Sequence, residues 1–207
     1  MSVQQEFLAL MQSGGPIMWV IFLVACMALG MLIWEALKGR QLMRLAERDY
    51  QTLRGAGEVS QIKKGGSPVA QVLALLSWQQ IDSQQMLAKE INIHLAEVVP
   101  KMSGTLATIA ILASLLPMLG LLGTVTGMIN VFEVIAIQGN GKPDLMADGI
   151  SQALLTTASG LIIAIPVIFL HHLLAQRVNR LMTLTHQAIQ LILHRNIEQL
   201  KQGYLHE

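Results

Sequence analysis

Between Leu115 and Ile168 the chain carries two long apolar segments, LLPMLGLLGTVTGMINVF and GISQALLTTASGLIIAIPVI, joined by a short polar connector. Both hold more Gly, Ser, Thr, Gln and Asn than contact with lipid would favour. A polar side chain in hydrocarbon is costly unless it faces a neighbouring helix or water. On a helix, Gln152, Thr156 and Ser159 fall on one face at i, i+4 and i+7, while Leu154, Leu161, Ile165 and Ile168 make an apolar stripe on another. The earlier segment repeats the division, with Gly120, Thr124 and Gly127 on one side and Leu119, Leu122 and Ile129 elsewhere. Two hairpinned helices with hydroxyl-bearing faces imply a shared polar interior, which is where function is expected.

Composition sets the class. The 207 residues are 53% hydrophobic and only 13% charged, with a mean hydropathy of +0.51, as in a polytopic membrane protein. The net charge of +1 favours neither nucleic acid nor an acidic substrate as partner. Cys26 is the single cysteine and lies in an apolar run, so no intrachain disulfide forms. The six histidines lack metal-ligand spacing, and there is no phosphate-binding loop or nucleophile elbow. No catalytic residue, metal or cofactor is therefore expected. The twelve methionines suit adaptable apolar packing.

Residues 1–16 form an interfacial segment in which Phe7, Leu8, Leu10 and Met11 make a short amphipathic turn. Gly14-Gly15 breaks that turn, and Pro16 opens the first transmembrane helix, 17–37. A cleavable signal peptide is excluded by the flanks, because Lys38, Arg40 and Arg44 follow the run and nothing basic precedes it. Trp19 and Trp34 suit the two interfacial belts. The block 38–104 is polar, is interrupted by Gly55, Gly57, Gly65 and Gly66, and carries nine of the fourteen Lys and Arg. From Ser67-Pro68 a long helical pattern (Val69, Val72, Leu76, Ile81, Leu87, Ile91, Leu95) runs toward the next span, with Pro100 expected to bend or interrupt it.

The second transmembrane helix, 105–137, exceeds the roughly 20 residues that a bilayer needs, so part of it should project. Pro117 is a kink site, its freed carbonyl satisfied by Ser114 or by neighbouring helices. The connector 138–148 is turn-rich, and the third transmembrane helix, 149–174, has a second kink site at Pro166. The C-terminal helix, 175–207, continues a near-heptad series of Leu174, Val178, Leu181, Thr185, Ala188 and Ile192 that would bundle with copies of itself or line a vestibule. With 38–104 and 175–207 inside, thirteen of fourteen basic residues are cytoplasmic and only Lys142 is outside. The expected architecture is an all-α membrane protein of three spans with long cytoplasmic helical extensions, N-terminus periplasmic and C-terminus cytoplasmic.

On spacing alone, Ala153, Thr157, Gly160 and Ala164 read as a packing seam, as do Gly120 and the pair Gly123-x-x-x-Gly127. His171 and His172 read as interfacial, and Glu133 as reaching the outer headgroups.

The stretches GGPIMW, LGLLGTVTGMINVF and GISQALLTTASGLIIAIP resemble the MotA/TolQ/ExbB proton-channel family, and look most like ExbB-type subunits of TonB energy-transduction systems. The resemblance covers essentially the whole chain. It implies a homo-oligomer, a pentamer, in the bacterial inner membrane. Its pore would hold the single helices of ExbD/TolR-like subunits, whose movement is driven by the proton gradient and passed on by a TonB-like protein. Lipids would surround it, and nucleic acid has no role. Thr124 matches the pore-facing threonine of the family's second helix, and Thr157 the threonine of its A-L-L-x-T motif. Gln152 stands where many members carry a pore-facing glutamate. With Thr156 beside Thr157, the ion path implied is Thr124, Gln152, Thr156 and Thr157. Because Gln152 cannot titrate, the resemblance places the titrating carboxylate on the partner's helix. A sodium-driven motor subunit and a non-conducting pentamer that anchors partners remain the alternatives.

Overall fold

The computed structural model describes residues 3–55, 59, 62, 66–138, 143–195 and 200, and all five described helices are α. These are α1 (Val3–Ser13), α2 (Gly15–Arg54), α3 (Pro68–Leu75), α4 (Gln84–Gln138) and α5 (Pro143–Leu193), with no strand among the described residues. α2, α4 and α5 each contain a window long and apolar enough to cross a membrane. Lys142, the one basic residue expected outside, lies beyond the described residues, as do Gly57 and Gly65. The chain divides into two units, one of residues 1–33 and 107–172, the other of 34–106 and 173–207.

In the first unit, α1 is a full helix of eleven residues rather than a short turn. Its apolar residues do not share one fate. Met11 is buried, while Phe7, Leu8 and Leu10 are exposed, and the Phe7 ring meets Phe22 of α2 edge-on at 5.3 Å. The Gly14 amide closes α1 on the Leu10 carbonyl, and Gly15 turns the chain with φ +68°, a conformation in which a side chain is strained. α2 then buries Met18, Ile21, Ala25, Ala28 and Leu32 at three- and four-residue intervals. The outward faces are strongly apolar: Leu23, Met118, Leu121, Phe132, Leu154, Ile162, Ile165 and Phe169 are all more than half exposed. In water such a surface would be a liability, and in a bilayer it is the lipid contact. Leu161 and Ile168 of the expected stripe are exposed too.

The helices pass Pro100, Pro117 and Pro166 without interruption. Pro100, expected to bend or interrupt the helix, does not interrupt it. Beside Pro117, the Ser114 hydroxyl donates to the Ile111 carbonyl at 2.8 Å, not to the carbonyl that the proline frees at residue 113. Residues 143–148, expected in the connector, are the first turns of α5.

In the second unit the apolar pattern from Val69 to Leu95 is carried by two helices. α3 starts at Ser67, whose hydroxyl accepts from the Ala70 amide at 3.0 Å. It stops at Leu76, which adopts extended backbone (φ −72°, ψ 136°). The Trp78 indole donates to the Leu73 carbonyl at 3.1 Å, and the Ser77 amide donates to Glu90, satisfying groups at the break. Ser83 starts α4 by accepting from the Met86 amide through its hydroxyl and from Leu87 through its carbonyl. Val69, Val72, Leu76, Trp78, Ile81, Leu87, Ile91 and Leu95 are all buried, so the pattern marks a continuous core across a broken backbone.

The near-heptad series of α5 also has a different role from the one expected. Leu174, Val178, Leu181, Thr185, Ala188 and Ile192 are each 4% exposed or less within the single chain, so this face is covered by the chain's own helices. Its end is held by Gln84, whose amide donates to the Leu193 and Arg195 carbonyls, and by Arg195, which donates to the Leu53 carbonyl at 2.6 Å.

Asp49 lies twelve residues past the apolar part of α2, which ends at Leu37, and is 6% exposed. The Ser67 hydroxyl donates to its Oδ2. Burial raises the Asp49 pKa above 3.8, against the opposing pull of Ser67 and Arg48. The folded chain therefore holds this proton more tightly than the unfolded chain. The resulting stabilisation is complete below pH 3.8 and is lost as pH rises through the folded value. Asp49→Asn keeps an acceptor for Ser67 and removes the charge. The variant should exceed wild type in thermal stability at neutral pH, with the gap closing on acidification toward 3.8. A pH-independent gap would refute the role of the charge.

Candidate ion path and helix seam

The antiparallel meeting of α4 and α5 in the first unit is built by residues too small to hold the backbones apart. A Cβ at Gly160 would lie 2.7 Å from the Leu116 carbonyl oxygen and 3.1 Å from Gly120 Cα. One at Gly127 would lie 2.8 Å from Ala153 Cβ and 2.9 Å from the Gly149 carbonyl oxygen. At Gly123 it would overlap the Thr156 side chain. Ala153 and Ala164 are 3% and 1% exposed. Such close approach maximises dispersion contact where no hydrophobic force drives helices together.

The four hydroxyl and amide residues are distributed unequally over this geometry. Thr156 is 1% exposed, packed on Gly123, and its hydroxyl donates within its own helix to Ala153 at 2.8 Å. Thr157 is half-buried and donates across the seam to the Gly120 carbonyl at 3.0 Å. Thr124 is partly exposed and donates to the Leu121 carbonyl of its own helix at 2.6 Å. Gln152 sits against the turn at Gly15, where any Cβ would overlap its amide. Thr124, Thr156 and Thr157 do not line the cleft that Gln152 lines.

Gln152 lines this open cleft of about 500 Å³ with Gln12, Ser13, Asn130, Val134, Asp148, Gly149 and Ser151. This polar mouth brings together α1, the end of α4 and the start of α5. Sequence reading left Asp148 in a connector and did not single out Gln12, Ser13 or Ser151. The spacing Asp148, Gln152 at i, i+4 could have flagged part of it, but the contribution of α1 has no sequence signal.

Glu35, in the second unit, was not among the residues assigned to the ion path. It is 4% exposed, its Oε2 has no hydrogen-bond partner among the described residues, and it lines a cavity of about 100 Å³ with Lys38 and Gln71.

Residues 64–187, which include the whole α4–α5 seam, match the model of the MotA/TolQ/ExbB proton channel family. The chain is 32% identical over 98 residues to biopolymer transport protein exbB1 of Vibrio cholerae, covering 47% of this chain and 42% of that protein. It is 30% identical over 91 residues to the Tol-Pal system protein TolQ of Haemophilus influenzae (44% and 40% of the two chains). Against TolQ of Pseudomonas aeruginosa it is 30% identical over 115 residues (54% and 49%). These matched stretches span less than half the length of each relative. The family is one of proton channels rather than enzymes. With three apolar helices and a family match across 64–187, the chain belongs to the MotA/TolQ/ExbB proton channel family.

Proposed function

We propose that this chain is the channel-forming motor subunit of a bacterial inner-membrane complex that uses the proton motive force to energise TonB-dependent transport across the outer membrane. The observation that carries this reading is the family match over 64–187, which takes in both helices with polar faces. Thirteen of fourteen basic residues fall on one side if the N-terminus is periplasmic and the C-terminus cytoplasmic. Five copies would surround the single helices of ExbD/TolR-like partners, and a TonB-like protein would carry the work outward. Two of the relatives are TolQ proteins, which favours a Tol-Pal-type envelope system as the second reading.

In this scheme Thr124, Thr157 and Gln152 face the ion path, and Thr156 shapes the seam beneath it. Thr124, Gln152 and Asn130 keep polar surface open in the single chain, which an assembly would enclose. Mass measurement in nanodiscs should therefore return a homo-oligomer, and a monodisperse monomer would sink the proposal.

Thr124→Val and Thr157→Val separate conduction from packing. The Thr124 hydroxyl bonds its own helix, so its loss leaves the seam bonds intact. The Thr157 hydroxyl bonds Gly120 across the seam, and its loss costs about 0.6 kcal/mol. Both variants should assemble, and both should lose most gradient-driven transport at native expression. Full transport in both would assign these threonines to packing alone.

A further inference from the structure

We infer that the second unit carries a binding site for an anionic phospholipid, set between the parts of α2 and α5 that directly follow their apolar runs. Arg40 and Arg44 of α2, and Arg177 and Arg180 of α5, rim a cleft of about 400 Å³. Its floor is apolar, formed by Ala36, Met43, Leu174, Val178 and Leu181. Arg40 and Arg44 are one turn apart, as are Arg177 and Arg180, so each helix presents two guanidiniums along one edge.

The charges are largely uncompensated. Glu47 accepts from Arg180 at 3.0 Å in an exposed pair. Arg40, Arg44 and Arg177 have no carboxylate partner among the described residues. Four like charges around one cleft repel each other, and an anion placed among them relieves that cost. Guanidinium forks match phosphate oxygens through paired hydrogen bonds.

The apolar floor decides between sources of phosphate. A soluble phosphate gains nothing from Met43 or from the exposed Leu37 and Leu173 beside the cleft, whereas an acyl chain does. Leu37 and Leu173, next in sequence to the lining residues Ala36 and Leu174, are 56% and 41% exposed. The cleft therefore adjoins exposed leucines at the ends of the two apolar runs. A headgroup among the arginines and a tail over those leucines satisfy both chemistries at once. The site does not depend on whether the chain conducts ions.

The test uses the full chain in phosphatidylcholine nanodiscs, with phosphatidylglycerol titrated in and thermal stability and bound lipid both read. Wild type should prefer phosphatidylglycerol and gain stability from it. Basic residues near a membrane surface contribute about fivefold each, so Arg40→Gln, Arg44→Gln and Arg177→Gln together should weaken that preference about a hundredfold. A control away from the cleft, Arg54→Gln with Lys89→Gln, should leave it nearly unchanged. The inference is overturned by equal binding of the two lipids, by a triple variant that binds as wild type, or by a control that loses as much. It is overturned too if inorganic phosphate or an acidic peptide competes as strongly as the lipid. Should the triple variant fail to fold, wild type decides alone: its preference must fall steeply with added salt, and a salt-insensitive preference overturns the inference.

Discussion

Gly160→Ala is expected to force α4 and α5 apart and to lower the thermal stability of the folded chain by about 1–3 kcal/mol. The added carbon would meet the Leu116 carbonyl oxygen at 2.7 Å and Gly120 Cα at 3.1 Å. Both neighbours are backbone, so no rotamer change relieves the overlap. Gly127→Ala, which meets the Gly149 carbonyl oxygen at 2.9 Å, should behave alike. Gly30→Ala supplies the contrast, since a Cβ there meets nothing within 4 Å. Alanine should gain roughly 0.5–1 kcal/mol at Gly30 from helix propensity. Thermal unfolding of the three variants in nanodiscs reads the difference, and equal stabilities would dissolve the seam as an account of this pairing. The loss should extend to function, because the carbonyl that receives the Thr157 hydroxyl belongs to Gly120, one of the residues displaced.

How far the sequence foretold this arrangement depends on the range of the force involved. The three spans were legible because a bilayer demands some twenty consecutive apolar residues, a local and one-dimensional requirement. The break between α3 and α4 was not, because Leu76 and Ile81 stay buried through it and the hydrophobic pattern continues where the helix does not. The heptad series of α5 was legible as a face that would meet other copies or a vestibule, and its burial by the chain's own helices is a tertiary fact. Helical spacing placed Gln152 and Thr156 on one face and could not say that Thr156 packs on Gly123 while Gln152 opens to a polar cleft. The Glu35 cavity and the arginine cleft were invisible for a related reason. Arg40 and Arg177 are distant in the chain, and one-dimensional pattern carries no trace of their meeting.

A protonophore should abolish the work done by this subunit, and removal of sodium should leave it intact. Within each chain the proposed path is lined by neutral oxygens, the Gln152 amide and the hydroxyls of Thr124 and Thr157. Such oxygens can support a proton in a chain of water beside one partner carboxylate. They can equally replace part of a sodium ion's hydration shell, since hard cations favour oxygen ligands. Asp148 adds a carboxylate to the cleft that Gln152 lines, one turn earlier on α5. That position suits the gathering of cations at a mouth and discriminates little between the two ions. Gln152→Glu probes the proton path, and the sodium dependence of wild type separates the two ions. The substitution would set a second carboxylate at i+4 from Asp148, a repulsion of only about 0.2–0.5 kcal/mol on an exposed helix, so folding should survive. For a proton path the new carboxylate is a usable relay, and transport should persist without sodium and remain sensitive to the protonophore. For a sodium path, wild-type transport should follow external sodium and resist the protonophore while a sodium gradient lasts. Strict sodium dependence of wild type, measured as partner-dependent uptake in cells that lack their own copy of the subunit, would overturn the proton as the coupling ion. It would leave the proposed motor role standing, because three apolar helices and a glycine seam serve either ion.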